Sequence, residues 1–465
     1  MPFPCLSVVR CVLRPPVAVA AGLVAALLVA RPAVAQRSAA VAIRDVTIID
    51  VTRGVRVPNQ TVVVRGGRIS AVGPRSRVTP PSDAAVVDGT GRFLMPGLAD
   101  MHVHLYTEGD LFTYVANGVT TVRNMAGDTT HLRMRRRVAD GSIIGPRIVT
   151  AGPVVEATPL SHPDNVALDD PAAVRGELTR QRAAGYDFVK IYNALARPVY
   201  DSVVSVALAL GMPVAGHVPV TVGLYGALTA SQRSIEHFRG YIQRVAPLVD
   251  SASFREWSLA WEEIDTTRIA SLVRHTVAAG VWNVPTFAFT LHELAPAADH
   301  ARLLARPEAA WLSLEGLPKD RAKAAYLRDF TEADFAKVQR GLAGQFRLLR
   351  ALDSADAGLL AGTDSWLSGY ALADELEVLV RAGLSPARVL RMATLDAARF
   401  LGEERQWGTV VSGRRADLVL LDADPLASVG NVRRISAVVA GGRLLRREEL
   451  DRRVALLRKE VTHPR

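Results

Sequence analysis

Hydrophobic and polar positions follow two rhythms along the chain. Residues 41–50 (VAIRDVTIID) and 61–73 (TVVVRGGRISAVG) run apolar or alternate, with Gly66-Gly67 at a tight turn, which predicts a β-meander. The pattern returns near the other end, where 416–421 (ADLVLL) predicts a strand and 435–445 (ISAVVAGGRLL) repeats strand, Gly-Gly, strand. Between them short apolar runs alternate with helical stretches, at 93–105, 119–125, 147–152, 188–192, 214–218, 234–238, 283–287 and 359–364. Helical spacing fills several gaps, as at 171–184 and 198–210. Alternation on this scale predicts an α/β fold, a (β/α)8 TIM barrel with a small β-sandwich domain built from both chain ends.

The expected organisation is sandwich over 36–94, barrel over 95–402, sandwich again over 403–448 and a C-terminal helix over 449–465. The longest gap, about 288–357, separates the last two barrel strands and reads as an amphipathic helical insertion over or beside the mouth. Beyond the eighth strand, 370–381 predicts a helix stopped by Gly383, and Ser385-Pro386 caps the next.

The first 35 residues fit neither rhythm. Arg10 and Arg14 precede an apolar run at 17–30, and Ala33-Val34-Ala35 supplies small residues for cleavage. That is the order of a secretory signal peptide, with Gln36 as the new N-terminus and a periplasmic or secreted destination. An uncleaved anchor is the weaker reading, because the run is short of the ~20 residues a span needs. Cys5 and Cys11 both lie in this segment, so the mature chain would carry no thiol. A disulfide framework, a cysteine nucleophile and thiolate-held zinc are then excluded, and any metal must be held by nitrogen and oxygen.

The net charge of +10 comes mainly from arginines spread along the chain, with short clusters such as Arg133 and Arg135 to Arg137. It forms no concentrated stripe and accompanies no nucleic-acid-binding module. The charge fits solvated helix faces, with at most a mild preference for anionic small molecules.

Candidate chemistry gathers where the apolar runs end. His102 and His104 close Gly97-Leu98-Ala99-Asp100-Met101-His102-Val103-His104, and alternate residues of a strand point the same way. Two imidazoles so spaced can reach one metal ion, and barrel enzymes keep their functional groups at C-terminal strand ends. Lys190 lies inside the apolar run Phe188-Val189-Lys190-Ile191, where lysine is rarely buried without a partner. It can snorkel to the rim, pair with a carboxylate, or react with CO2 to give a carbamate able to bridge two cations. His217 and His237 each end a short apolar run, and each alone fits a core or rim histidine as well as a ligand. Asp364 follows Ala361-Gly362-Thr363, where glycine permits close approach. These groups fall on the first, fourth, fifth, sixth and eighth predicted strands, always at the same end.

This set of motifs resembles the amidohydrolase superfamily, most closely its prolidase-like and imidazolonepropionase-like branch. The likeness extends to the tail, in Thr394-Leu395-Asp396-Ala397-Ala398, Leu401-Gly402, Gly408-Thr409-Val410, Gly413 and Ala416-Asp417-Leu418-Val419. The resemblance implies a binuclear centre of two divalent ions, zinc above others. His102, His104 and Asp364 would hold one ion, His217 and His237 the other, with carboxylated Lys190 bridging. It also implies a hydroxide shared by the ions that attacks a carbonyl, and Asp364 as the proton shuttle to the leaving nitrogen. Tyr192, Arg239 and Tyr241 lie just beyond ligand strands as candidates for a substrate carboxylate, and His162 as a group supporting the site. Residues 153–163 stand where related prolidases carry a glycine-rich histidine segment, a departure that separates this chain from close prolidase specificity.

The leading expectation is an exported amidohydrolase acting on an Xaa-Pro dipeptide or N-acyl amino acid. The alternative within the class is an esterase, lactonase or cyclic-amide hydrolase on the same centre. A non-catalytic binding protein is a third reading, which the filled ligand positions disfavour. The expected partner is a small molecule, without nucleic acid or a membrane span after cleavage. A homo-oligomer is compatible with the sequence.

Overall fold

The computed structural model describes residues 40–248, 253–309 and 325–462. The expected signal segment at 1–35, with both cysteines, lies outside the described residues, as do 310–324 of the expected insertion and 463–465.

Valine-rich strands from both chain ends share one sheet. Val41–Asp50 pairs antiparallel with Val55–Arg65, which pairs with Arg68–Pro74. It also runs parallel to Ala85–Asp88 and Phe93–Pro96. Phe93–Pro96 is antiparallel to Leu418–Leu421, and Ile435–Ala440 and Arg443–Arg446 complete the order. The expected sandwich is therefore one continuous sheet. Its inward side chains, among them Ile43, Val62, Ile69, Leu94, Leu418 and Val439, enclose a core of their own.

The run predicted as a single strand over 93–105 divides at Gly97. Phe93–Pro96 stays in the mixed sheet and Leu98–Val103 opens the barrel. The Gly97 N–H donates to Asp417 O at 2.8 Å, and a Cβ there would lie 2.1 Å from Thr120 Oγ1, so only glycine makes this corner.

The barrel consists of short parallel strands. Leu98–Val103, Val119–Asn124 and Arg147–Thr150 form one run. Val189–Ile191, Val214–Gly216, Ser234–Glu236 and Trp282–Val284 form another. A parallel bridge from Ala151 to Phe188 joins the runs, and one from Asn283 to Leu359 adds the eighth strand, 359–361. The Met101 N–H then donates to Ala361 O at 2.9 Å, returning the order to the first strand. Intervening helices begin and end where local chemistry directs. In Pro171–Ala184, Asp170 accepts from Ala172 N, proline occupies the first turn, and Gly185 closes the helix at φ 96°. The helix predicted at 198–210 is observed as Arg197–Ala209.

Two excursions build the mouth. After the sixth strand come Ile242–Val245, Phe254–Leu259 and Ile269–Ala279. The expected insertion after the seventh contains Phe287–His292, Ala297–Leu304 and Glu332–Ser354, the last started by a Thr331/Asp334 capping box. The terminal helix, Arg447–Thr462, packs on Glu108–Ala116. Among the described residues no helix is long and apolar enough to cross a membrane.

Candidate metal centre

The ends of the barrel strands deliver their side chains into a cavity of about 710 Å³. His102, His104, Lys190, His217, His237 and Asp364 all border it. Backbone just past the strands is bent to achieve this: His237, Thr286 and Asp364 have φ of 58°, 54° and 48°. The left-handed region is costly for such residues, above all for β-branched Thr286, and persists where surrounding contacts enforce it. The bonds at Asp364 supply that force. Its N–H donates to His102 O at 2.8 Å, while Thr363 donates through N and Oγ1 to Asp100 at 3.0 and 2.8 Å. Gly362 lets the two strands approach, since a Cβ there would lie 2.7 Å from His102 N.

Asp364 is the hub. Its carboxylate lies 3.2 Å from His104 Nε2, 3.6 Å from His102 Nε2 and 3.7 Å from His237 Nε2. Donor atoms of His102, His237 and Asp364 fall within 4.8 Å of one another, close enough to share one cation. His217 stands further out, its ring centroid 5.0 Å from that of His237. The tightest group therefore mixes residues that the family resemblance divides between two ions.

Each buried ring is held by its other nitrogen. His102 Nδ1 lies 2.8 Å from Glu236 Oε2, His217 Nδ1 3.0 Å from Asn193 Oδ1, and His237 Nδ1 2.6 Å from Thr286 Oγ1. The Thr286 hydroxyl donates to Pro285 O at 2.7 Å, so toward His237 it accepts. Carboxylate, amide oxygen and committed hydroxyl all call for Nδ1–H, which leaves the Nε2 lone pairs free for a metal. Burial also keeps the rings neutral, lowering His102 to about 4 and His217 and His237 well below the ordinary histidine value. Burial alone would raise Asp364, but His102, His104 and His237 outweigh it and hold the carboxyl well below its usual range. Neutral imidazoles around an ionised carboxylate are a donor set that fits a divalent cation.

Lys190 is 1% exposed, with Nζ 5.4 Å from the Tyr192 ring centroid, and among the described residues it forms no ion pair. Burial lowers its pKa to about 8, against the opposing pull of Glu236 and Asp364. Tyr192 stacks on His217 at 4.5 Å between centroids. Arg239 borders the cavity with its guanidinium 4.5 Å from the Trp257 ring and 5.2 Å from Phe254. His162 sits at the exposed rim. Tyr241 is the exception. Its hydroxyl bonds Thr276 Oγ1 at 2.8 Å in the core, so the expectation that it faces substrate is corrected.

Sequence reasoning passed over the layer beneath the histidines. Arg123 donates to Glu236 Oε1 and Oε2 at 2.9 and 3.0 Å, to Met101 O at 2.6 Å and to Ser234 Oγ at 2.9 Å. Both Arg123 and Glu236 are charges inside apolar strands, the same signal that singled out Lys190.

A parallel barrel with polar groups converging at the C-terminal strand ends defines an α/β-barrel protein equipped to hold a cation. Residues 93–445 match the amidohydrolase family, and the chain belongs to that family. Over 418 residues it is 25% identical to an adenine deaminase of Rubrobacter xylanophilus, covering 88% of this chain and 57% of that protein. The chain thus spans little more than half the length of that relative. It is also 25% identical to an imidazolonepropionase of Micrococcus luteus, covering 82% of this chain and 92% of that one. Among solved structures, a bottromycin amidohydrolase aligns with a TM-score of 0.73 at 28% identity, over 92% of this chain and 91% of its own.

Proposed function

We propose that the protein is an exported, binuclear metal-dependent amidohydrolase that cleaves an amide or peptide bond of the Xaa-Pro or N-acyl amino acid type. Convergence of the His102, His104 and His237 Nε2 atoms on Asp364, with the buried rings tied back through Nδ1, carries this reading. In it His102, His104 and Asp364 would hold one ion and His217 and His237 the other, with Lys190, as its carbamate, shared between them. Two divalent ions, zinc above others, would supply Lewis acidity and a water of lowered pKa there.

This chain's own groups do the rest. Asp364 accepts the proton of the attacking water and passes it to the departing nitrogen, a role its ionised carboxylate suits. Arg239, whose buried Nε has no hydrogen-bond partner among the described residues, pairs with a substrate carboxylate. Trp257 and Phe254 pack against its guanidinium, and with Tyr192 they make the cavity wall suited to an apolar acyl group. Export rests on the character of residues 1–35.

Purified, metal-loaded enzyme assayed against dipeptides, N-acyl amino acids and lactones tests the reaction class. Hydrolysis of lactones alone contradicts it. Asp364→Asn should fold normally and lose turnover by about 10²–10⁴-fold. An active variant would require a different proton shuttle.

A further inference from the structure

Buried glutamines in this chain spend their amides on the fold, with one exception among the described residues. Gln181 Nε2 donates to Glu177 Oε1 at 2.8 Å and to Pro153 O at 3.0 Å. Gln232 Nε2 donates to Ser234 O at 3.0 Å and to Gly216 O and His217 O at 3.2 Å. Gln345 is 8% exposed and borders the cavity, yet its carboxamide forms no hydrogen bond with any described residue.

The helix that carries it, Glu332–Ser354, is tied to both excursions of the mouth. Asp334 accepts from Arg255 Nε and Nη2 at 2.9 and 2.6 Å, and Gln339 Nε2 donates to Thr290 O and Leu294 O at 3.0 and 2.9 Å. Val338 and Gln345, about two turns apart, share the face that meets the cavity. Trp257, Trp261, Phe289 and Leu294 belong to the same wall, beside the rings that pack on Arg239. An amide enclosed by such a wall is costly unless something in the cavity bonds it.

A glutamine side chain offers donors and an acceptor on one planar group. Carboxylates, esters and ethers meet only the donors, and an ammonium only the acceptor. A carboxamide meets both at once, accepting from Nε2 and donating to Oε1. We propose that Gln345 pairs with a carboxamide on the apolar acyl part of the substrate, so that the preferred substrate carries an amide in addition to the scissile one. The inference rests on the amide-hydrolase reading and narrows it. An N-acylated dipeptide meets the requirement, whereas a free dipeptide or a simple fatty-acyl amino acid does not.

The test uses two matched substrates, N-acetylphenylalanylglycine and 2-benzylpentanoylglycine, in which propyl replaces the acetamido group and the scissile bond to glycine is the same. Metal-loaded wild-type enzyme should release glycine from the first with kcat/KM higher by about tenfold or more, because the hydrocarbon leaves Gln345 unpaired. Gln345→Met, close in volume but without the amide, should bring the ratio to one or below. A merely structural role would move both substrates alike. A ratio near one in wild type, with water serving the amide, overturns the assignment, and so does a ratio undiminished in Gln345→Met. Calorimetric binding of the two compounds to metal-free wild-type protein reads the contact without turnover. The same preference supports the inference, and equal affinity or no binding of either overturns it. Preferential binding without hydrolysis of either compound by the loaded enzyme would instead overturn the amide-hydrolase reading and leave the contact standing.

Discussion

Two arginines in the barrel meet aromatic rings in the same way and differ in everything else. Arg123, in the layer under the histidines, lies 4.9 Å from the Phe400 ring and is 1% exposed. Its donors reach Glu236, Ser234 and Met101 O. Arg239, at the mouth, lies 4.5 Å from Trp257, is half-buried, and among the described residues its Nε has no hydrogen-bond partner. Burial lowers its pKa to about 10, still leaving it charged at neutral pH. A buried N–H without a partner is costly, and its hydrogen bond is open to a group in the cavity. The lower arginine belongs to the scaffold, and the upper one is the anchor that the proposed function assigns to a substrate carboxylate.

Removing each arginine should separate the two regions sharply. Arg123→Met strands Glu236, whose carboxyl burial would raise but which Arg123 and His102 hold far below its usual range. Breaking such a pair should cost about 3–5 kcal/mol, read as a lower urea midpoint, and should loosen His102 as well. Adding Glu236→Gln should restore part of the loss. If Arg123→Met keeps wild-type stability, the lower layer is not the support described here. Arg239→Met should leave the urea midpoint nearly unchanged and raise KM for a carboxylate substrate by about 10–100-fold, with little effect on a neutral ester. Equal effects on charged and neutral substrates would remove its anchoring role.

A smaller effect belongs to Glu375, whose buried carboxyl accepts from Ala288 N at 2.6 Å. Burial pushes its pKa from 4.5 to about 8. The folded state therefore favours the protonated form. That stabilisation is complete below pH 4.5 and is lost as pH rises through about 8. Glu375→Gln should flatten the fall in stability across that window, measured by thermal unfolding at several pH values. An unchanged slope would place the titration elsewhere.

The same contrast divides what the sequence made legible. Strand ends bearing His102, His104, His217, His237 and Asp364 could be read because period-two apolar runs stop at a polar residue. Glu236 and Arg123 were as visible as Lys190, but their importance lies in pairing across strands, which a linear pattern does not encode. Tyr241 was misplaced because a residue just past a strand can turn toward the cavity or the helix layer, and the positive φ at His237 and Phe238 decides which. The corner at Gly97 was hidden for a related reason: apolar residues continue through it while the chain changes sheets.

The central claim is that the mouth holds two divalent ions with Lys190 as their bridge. Metal content per chain, measured on wild type and Lys190→Ala after loading with zinc and bicarbonate, tests it most directly. The account predicts two ions in wild type and at most one in the variant. A single ion in wild type, or two retained in Lys190→Ala, would contradict it.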